Sequence, residues 1–342
     1  MAQTTMATGD SLKKQLYEEK LFRDVVKESY FLNKYTGKQG DETAIVNINT
    51  KLEAGKGDNV RFGIFPRFTG NFIVDGPAEG HEQAATWFND SVTIHKYRVA
   101  VADDGEMTRQ RPMFDLYDQM KGRLKDQMTE NIDELCFTAI QASPTLVYSP
   151  LATATKYTAY ATAKTALTSA SLPTPNFLSW IKTVAETGLN RTITPLRKVK
   201  INNKSYFVYL THNDALMSLE VNDDIMQARR EAEVRGKDNP LFYDSFMVWN
   251  NVIVHSHENM TIGTNAGAGS DIAFANGVLM GAQSLLWAWA RRPRLVEETF
   301  DYEDRKGVDF SFLAGTKKPV FNSQDYGSIG CITARSRVSD PA

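Results

Sequence analysis

The sequence has little cysteine: only Cys136 and Cys331 in 342 residues, far apart along the chain. A disulfide framework is therefore not expected; two buried free thiols are, and a reducing cytoplasm fits them. No run of about 18 apolar residues occurs, so no helical membrane span and no membrane partner is expected. The opening stretch MAQTTMATGD lacks the apolar centre of a signal peptide. Charge of one sign is missing too. The 39 Lys and Arg residues face 41 Asp and Glu residues, a formal net charge of −2. That removes the basic excess by which a nucleic-acid binder grips phosphate, while leaving room for loose contact through local basic loops. There is no internal repeat, no Gly-x-Ser-x-Gly elbow and no glycine loop ending in Gly-Lys-Ser/Thr. What is present is an ordinary folded composition, 42% hydrophobic and 23% charged, enough for one large or two ordinary domains.

Along the chain, Asp10 or Ser11 caps an amphipathic helix expected from Leu12 to Tyr35, with Leu16, Leu21, Phe22, Val25 and Val26 on its apolar stripe. Ile45 and Ile48 read as a strand, Gly55 to Asn59 as a turn, and Val60 to Phe65 as the returning strand. Gly70, Gly76 and Gly80 then punctuate a long extended excursion that ends in Trp87-Phe88 and a strand over Val92–Val99. The strongest helix signal spans Pro112 to Ala142. Its apolar positions run from Phe114 through Tyr117, Met120, Leu124, Met128, Ile132 and Leu135 to Ala139, seven steps in 25 residues and a mean of about 3.57. Residues 143–171, rich in Ala, Thr, Tyr and Ser, read as a loosely structured surface insertion. Thr174 or Asn176 caps a second helix whose buried face is expected at Phe177, Leu178, Ile181, Val184 and Ala185. An α/β unit follows: a strand over Ser205–Leu210, a short helix from Ala215, a charged helix over Asp223–Val234 and a strand over Val248–Val254.

Few residues offer chemistry. His255 and His257 alternate on one face of a strand, a spacing that metal sites use, but no third ligand at metal spacing accompanies them. The plainer reading is a polar strand end. Gly263 to Ser270 reads as a flexible loop, and Asp103-Asp104-Gly105-Glu106 as an acidic turn without the alternating oxygens of a calcium loop. Arg229, Arg230 and Arg235 lie with Glu231 and Glu233 on one helix, either as a solvated face with local ion pairs or as bridges to a second subunit. Arg291-Arg292-Pro293-Arg294 is the densest basic cluster, read as a phosphate-facing patch or as a turn pairing with Glu297 and Glu298. No cofactor, metal or catalytic residue is assigned; a metal-dependent enzyme built on His255 and His257 is kept as the alternative from another class.

The closing quarter carries order-specific marks. Gly281-Ala282-Gln283 precedes an aromatic run; Glu297-Glu298-Thr299-Phe300-Asp301-Tyr302 precedes Gly315-Thr316-Lys317-Lys318-Pro319-Val320-Phe321-Asn322, and Asp325-Tyr326-Gly327 comes last. Four separated elements in this order resemble the closing segment of tailed-phage major capsid proteins of the N-four-like family. The resemblance implies an α+β chain of the Hong Kong 97-type capsid fold. By element order, residues 1–43 are then an N-terminal arm and 44–101 an extended loop with flanking strands. Residues 102–192 form a peripheral domain with a spine helix at 112–142, 193–274 an axial domain, and 275–342 the return to the peripheral strands.

The implied function is a structural subunit that self-assembles into an icosahedral virion shell around double-stranded DNA. Its partners would be copies of itself in hexameric and pentameric capsomers, with separate scaffolding, portal and decoration proteins, and packaged DNA on the inner face without sequence specificity. An encapsulin-like compartment is the alternative within the same fold. The residues expected at subunit interfaces are Leu16, Phe22 and Val26 of the arm; Lys56, Arg61, Phe62, Phe65, Phe68, Phe72 and Trp87 of the extended loop; and Arg229, Arg230 and Arg235.

Overall fold

A computed structural model describes residues 29–37, 41–50, 52–53, 57–66, 73–74, 79–82, 84–111, 116–150, 155–188, 196–201, 204–225 and 247–335. The described chain divides into two compact units, one within residues 98–130 and 293–311, the other within residues 29–97, 131–292 and 312–335.

In the larger unit a nine-stranded sheet carries the core. Its main path runs β6 (Thr155–Tyr157), β5 (Val147–Ser149), β17 (Ser328–Ala334), β12 (Ile272–Met280), β8 (Lys204–Thr211), β10 (Val252–Ser256) and β9 (Met247–Trp249), while β7 (Val199–Ile201) adds to β8 and β11 (Ile262–Ala266) adds to β12. The period-2 rule sorts its side chains onto two faces. Tyr148, Phe207, Tyr209, Val252, Val254, Leu279, Ile329 and Cys331 pack on one face with α5 (Pro175–Thr187) and α6 (Asn213–Glu220). Their neighbours Val147, Phe274 and Ile332 face the other way, onto Ala163 of α4 (Tyr160–Thr165) and Leu167. Helix α5 buries the five residues expected of it. Thr174 caps it by accepting from the Phe177 N–H at 3.2 Å, and Gly188 ends it in the left-handed conformation at φ 67°. Both cysteines are buried free thiols.

Several expectations are corrected here. Residues 143–171 are not a loose insertion: Val147, Tyr148 and Ser149 are wholly buried, and Gly330 and Cys331 of β17 run parallel to them. A three-residue strand is too short to show periodicity. The stretch at 248–254 is a hairpin, split by Asn250 and Asn251 at φ 45° and 62°, the left-handed pair of a tight primed turn. Glycine-rich 263–270 is likewise a hairpin, β11 turning into β12, with Gly263 lying where a Cβ would come within 2.5 Å of the Phe274 ring.

The second sheet has the order β1 (Val46–Asn49), β13 (Leu285–Phe300), β14 (Arg305–Lys317) and β4 (His95–Ala102). Arg291 to Arg294 therefore sit inside a 16-residue strand, not in a turn. Arg292 reaches Glu53 at 2.8 Å, and Glu297 reaches Lys121 at 2.6 Å. The strand expected to return from β1 does not pair with it. Instead β2 (Asn59–Ile64) and β3 (Phe88–Thr93) form a ribbon of their own.

The long helix is α3 (Leu116–Gln141), preceded by a separate short α2 (Glu106–Gln110); residues 112–115 lie outside the described residues. Its stripe holds at Leu124, Met128 and Ile132, then moves one position to Cys136, Phe137 and Ile140, leaving Leu135 and Ala139 half-buried. The shift brings Asp133 inward. Its carboxylate accepts the N–H groups of Tyr30 (2.6 Å) and Phe31 (3.2 Å) and the Ser29 hydroxyl (3.0 Å), capping α1 (Tyr30–Lys34). Of the helix expected over 12–35, the portion before residue 29 lies outside the described residues.

In the smaller unit Asp103 is the organising carboxylate. Burial alone would raise its pKa; the Lys306 N–H and the Arg109 guanidinium outweigh burial and hold it below the ordinary value. Arg98 forks onto Asp309 and Arg305 meets Asp104, while Asp301, Tyr302 and Glu303 turn β13 into β14 with φ of 52°, 53° and 74°. The acidic 103–106 turn is thus tied down by cations.

Helix α6 carries a pH-sensitive cap. His212 Nδ1 accepts the Asp214 N–H at 3.1 Å, which requires a neutral ring. Burial, helped by Arg335, lowers the His212 pKa against the opposite pull of Asp214 and Glu258. A folded value below the unfolded one of about 6.5 means stability is present above about pH 6.5 and is lost as pH falls through the folded value. His212→Asn keeps a good cap without the titration. Measured by denaturant unfolding from about pH 7.5 to about pH 5, the wild type should lose stability relative to this variant; a constant difference would refute the linkage.

Candidate subunit interface

The ribbon of β2 and β3 holds the described part of the expected interface. Its register pairs Asn59 with Thr93 through to Ile64 with Phe88. A two-stranded ribbon is marginal alone, and its base is anchored by Val60 and Val92 packed with Leu286 and Ala288. Beyond the paired residues, Phe65 and Trp87 face each other at 4.7 Å between ring centroids, 40% and 73% exposed. Ile73 and Val74 are exposed as well. Arg61 is exposed on the ribbon. Phe62 is half-buried and packs edge-on against Phe321 at 5.7 Å, an intrachain contact. Leu16, Phe22, Val26, Lys56, Phe68, Phe72, Arg229, Arg230 and Arg235 lie outside the described residues.

The closing motifs turn out to be the mounting of this ribbon. Gly315 passes so close to β3 that a Cβ would come within 2.3 Å of the Thr93 carbonyl oxygen. Lys317 donates to the Asp90 carboxylate and to the Ser91 carbonyl (3.2 Å), and the Val320 N–H donates to Asp90 at 3.0 Å. Lys318 turns inward and pairs with Asp325 at 2.9 Å, both about 95% buried. Burial pushes the Lys318 pKa down, and Asp325 pulls against that shift. Asp325 also accepts the Thr145 N–H at 3.0 Å. The hairpin between them, β15 (Val320–Phe321) and β16 (Gln324–Asp325), turns through Asn322 and Ser323 at φ 48° and 57°.

The first and last motifs meet in space. The Gly281 N–H donates to the Gly327 carbonyl at 2.8 Å, and the Ser284 hydroxyl lies 2.7 Å from the Gly281 oxygen and 2.6 Å from the Gly327 oxygen. The Ala282 and Gln283 N–H groups donate to the carbonyls of Arg197 and Ala44, each at 2.7 Å. Neither glycine tolerates a side chain: a Cβ at 281 would sit 2.4 Å from the Arg197 oxygen, and at 327 it would sit 2.6 Å from the Ser284 Cα. Order in the sequence showed these marks; only the folded backbone shows that they touch.

The histidine pair does not assemble a metal centre. His257 stacks on Phe137 at 4.4 Å and accepts the Asn259 N–H, and His255 is edge-on to Tyr35 at 6.0 Å. Among the described residues no group of three or more His, Cys, Asp or Glu side chains is disposed to hold a metal ion.

Residues 5–338 match the family described as "Phage capsid protein". The "Major capsid protein" of Pseudomonas phage KPP25 is 23% identical over 357 aligned positions, covering 89% of this chain and 90% of that protein. The capsid of Ralstonia phage GP4 matches at a TM-score of 0.82 and 25% identity, over 99% of this chain and 100% of that one. The capsid of cyanophage Pam1 matches at 0.81 and 21%, over 98% and 99%.

Asp325→Asn leaves the Lys318 ammonium buried without its counter-charge and should cost about 3–5 kcal/mol. The double variant Lys318→Met/Asp325→Asn, which removes the buried ammonium and keeps an amide oxygen for the Thr145 N–H, should recover most of that loss in denaturant unfolding. Equal stability of Asp325→Asn and wild type would remove the ion pair from the account.

Proposed function

This chain belongs to the phage capsid protein family, and from that premise we propose that it is the major capsid subunit, self-assembling into the icosahedral head shell that encloses phage double-stranded DNA. The family match over residues 5–338 carries the reading. The fold is that of tailed-phage capsids, the Hong Kong 97 type; placement in the N-four-like branch is part of the proposal and rests on the order of the closing motifs. The chain's work is contact area rather than catalysis.

Within the proposal, copies meet as hexameric and pentameric capsomers, and assembly takes place in the host cytoplasm with separate scaffolding, portal and decoration proteins. Residues 1–43 serve as the arm, 44–101 as the loop laid on a neighbour, and 193–274 as the axial region. With a net charge of −2, contact with packaged DNA is loose and blind to sequence, as expected where no basic stripe provides counterion release.

The proposed contact residues are Arg61, Phe65 and Trp87 with Leu16, Phe22, Val26, Lys56, Phe68 and Phe72; Phe62 supports them from within the chain, and Arg229, Arg230 and Arg235 bridge copies. Two aromatics supply roughly 150–250 Å² each when covered, against about 1,600 Å² for a standard interface. They therefore anchor the contact rather than make up its area.

The purified chain, alone or co-expressed with its scaffold, should sediment as large assemblies and show closed shells by negative-stain microscopy. A compact monomer at high concentration under both conditions would overturn the proposal.

A further inference from the structure

Beside the outer half of the ribbon's paired stretch lies an open cleft of about 140 Å³, where segments distant in sequence converge. Its apolar wall includes Phe62, Ile64, Leu286 and Phe321. The rings form an edge-to-face series, Phe62 to Phe321 at 5.7 Å and Phe321 to Tyr326 at 5.6 Å. Two side-chain amides line it as well, Asn47 and Gln283, and neither meets a hydrogen-bond partner among the described residues. An apolar cavity of about 150 Å³ takes one six-membered aromatic ring. The cleft is thus sized and lined for a ring bearing a hydrogen-bond donor.

One side chain of the same protein offers that chemistry. Trp87 is 73% exposed, and its indole N–H, a donor without acceptor capacity, has no partner among the described residues. It does not line its own chain's cleft, and its inner face rests on Phe65. We propose that Trp87 of a second copy docks in this cleft, with its six-membered ring against Phe62 and Phe321 and its N–H given to the amide oxygen of Asn47 or Gln283. A knob and a hole at different places on one chain make a head-to-tail contact, which gives a ring where the rotation between copies closes and an open filament where it does not. The inference rests on the shell reading above and adds to it a specific pair of surfaces.

The test mixes two variants, Trp87→Cys and Asn47→Cys, each checked for folding by circular dichroism, co-assembles them, and treats the particles with a short flexible bis-maleimide, because an indole and an amide separate the two Cβ atoms in this pose and a direct disulfide needs them about 4 Å apart. Cys136 and Cys331 are buried, so new cross-links report the engineered positions. The expected result is a cross-linked dimer in assembled particles of the mixture and not of either variant alone. In parallel, Trp87→Ala should raise the protein concentration needed for assembly by about tenfold or more, and Trp87→Phe, which keeps a ring without the N–H, should fall between. Particles that form without the cross-link, with Trp87→Ala assembling at the wild-type concentration, would sink the docking and leave the shell reading standing. A cross-link in Trp87→Cys alone would also sink it, by showing that the tryptophans meet each other. Failure of the wild type to assemble at all would remove both.

Discussion

Backbone crowding at two glycines is the constraint on which the larger unit depends. Gly281 and Gly327 let two turns from opposite ends of the closing segment lie against each other, against the Arg197 carbonyl and against the Ala44 carbonyl. Four stretches of chain are tied there by amide donors at 2.7–2.8 Å, and the Ser284 hydroxyl lies within donating reach of the Gly281 oxygen and of the Gly327 oxygen, which already takes the Gly281 N–H. Buried carbonyl oxygens left without donors would each cost on the order of 1–3 kcal/mol. The knot thus satisfies groups that no strand pairing reaches. From it β12 enters the nine-stranded sheet while β13 enters the other, and the Lys318–Asp325 pair fixes the hairpin that follows.

The two lysines of the closing motif show how adjacent identical residues take different duties. Successive side chains of an extended segment point to opposite sides. Lys317 keeps a half-exposed ammonium and holds the ribbon through Asp90; Lys318 is buried and holds the chain's own turn through Asp325. A buried pair is weak evidence for added stability, since desolvation offsets much of the attraction. Its value here is selective: a buried ammonium accepts few arrangements besides the one facing Asp325.

Helical content was legible where periodicity was long. The face of α5 was readable residue by residue, and the stripe of α3 was readable to Ile132, where Asp133 turns inward to cap a helix about a hundred residues earlier; no local pattern encodes that partner. Short strands hid themselves. Val147–Ser149 has three residues and looks like polar filler, yet it is among the most buried stretches of the chain. The partner of Val60–Ile64 is also a matter of register between distant segments: it pairs with 88–93, while the nearer strand at 46–49 pairs with 285–288. At the candidate interface, the aromatics of a glycine-punctuated excursion point to Phe65 and Trp87, which the fold leaves exposed. The cleft could not be foreseen, because Asn47, Phe62, Gln283, Phe321 and Tyr326 come together only through the fold.

The ribbon of β2 and β3 has consequences for shell geometry. Two strands with no third beside them resist twisting far less than a broad sheet does, so the ribbon is compliant where the rest of the unit is stiff. Strain imposed on the ribbon by a neighbouring copy would fall first on its two strands outward of the Asp90 anchor. Subunits identical in sequence can in this way sit at the differing tilts that a curved, closed surface demands, each adjusting the angle of one limb while keeping a common body.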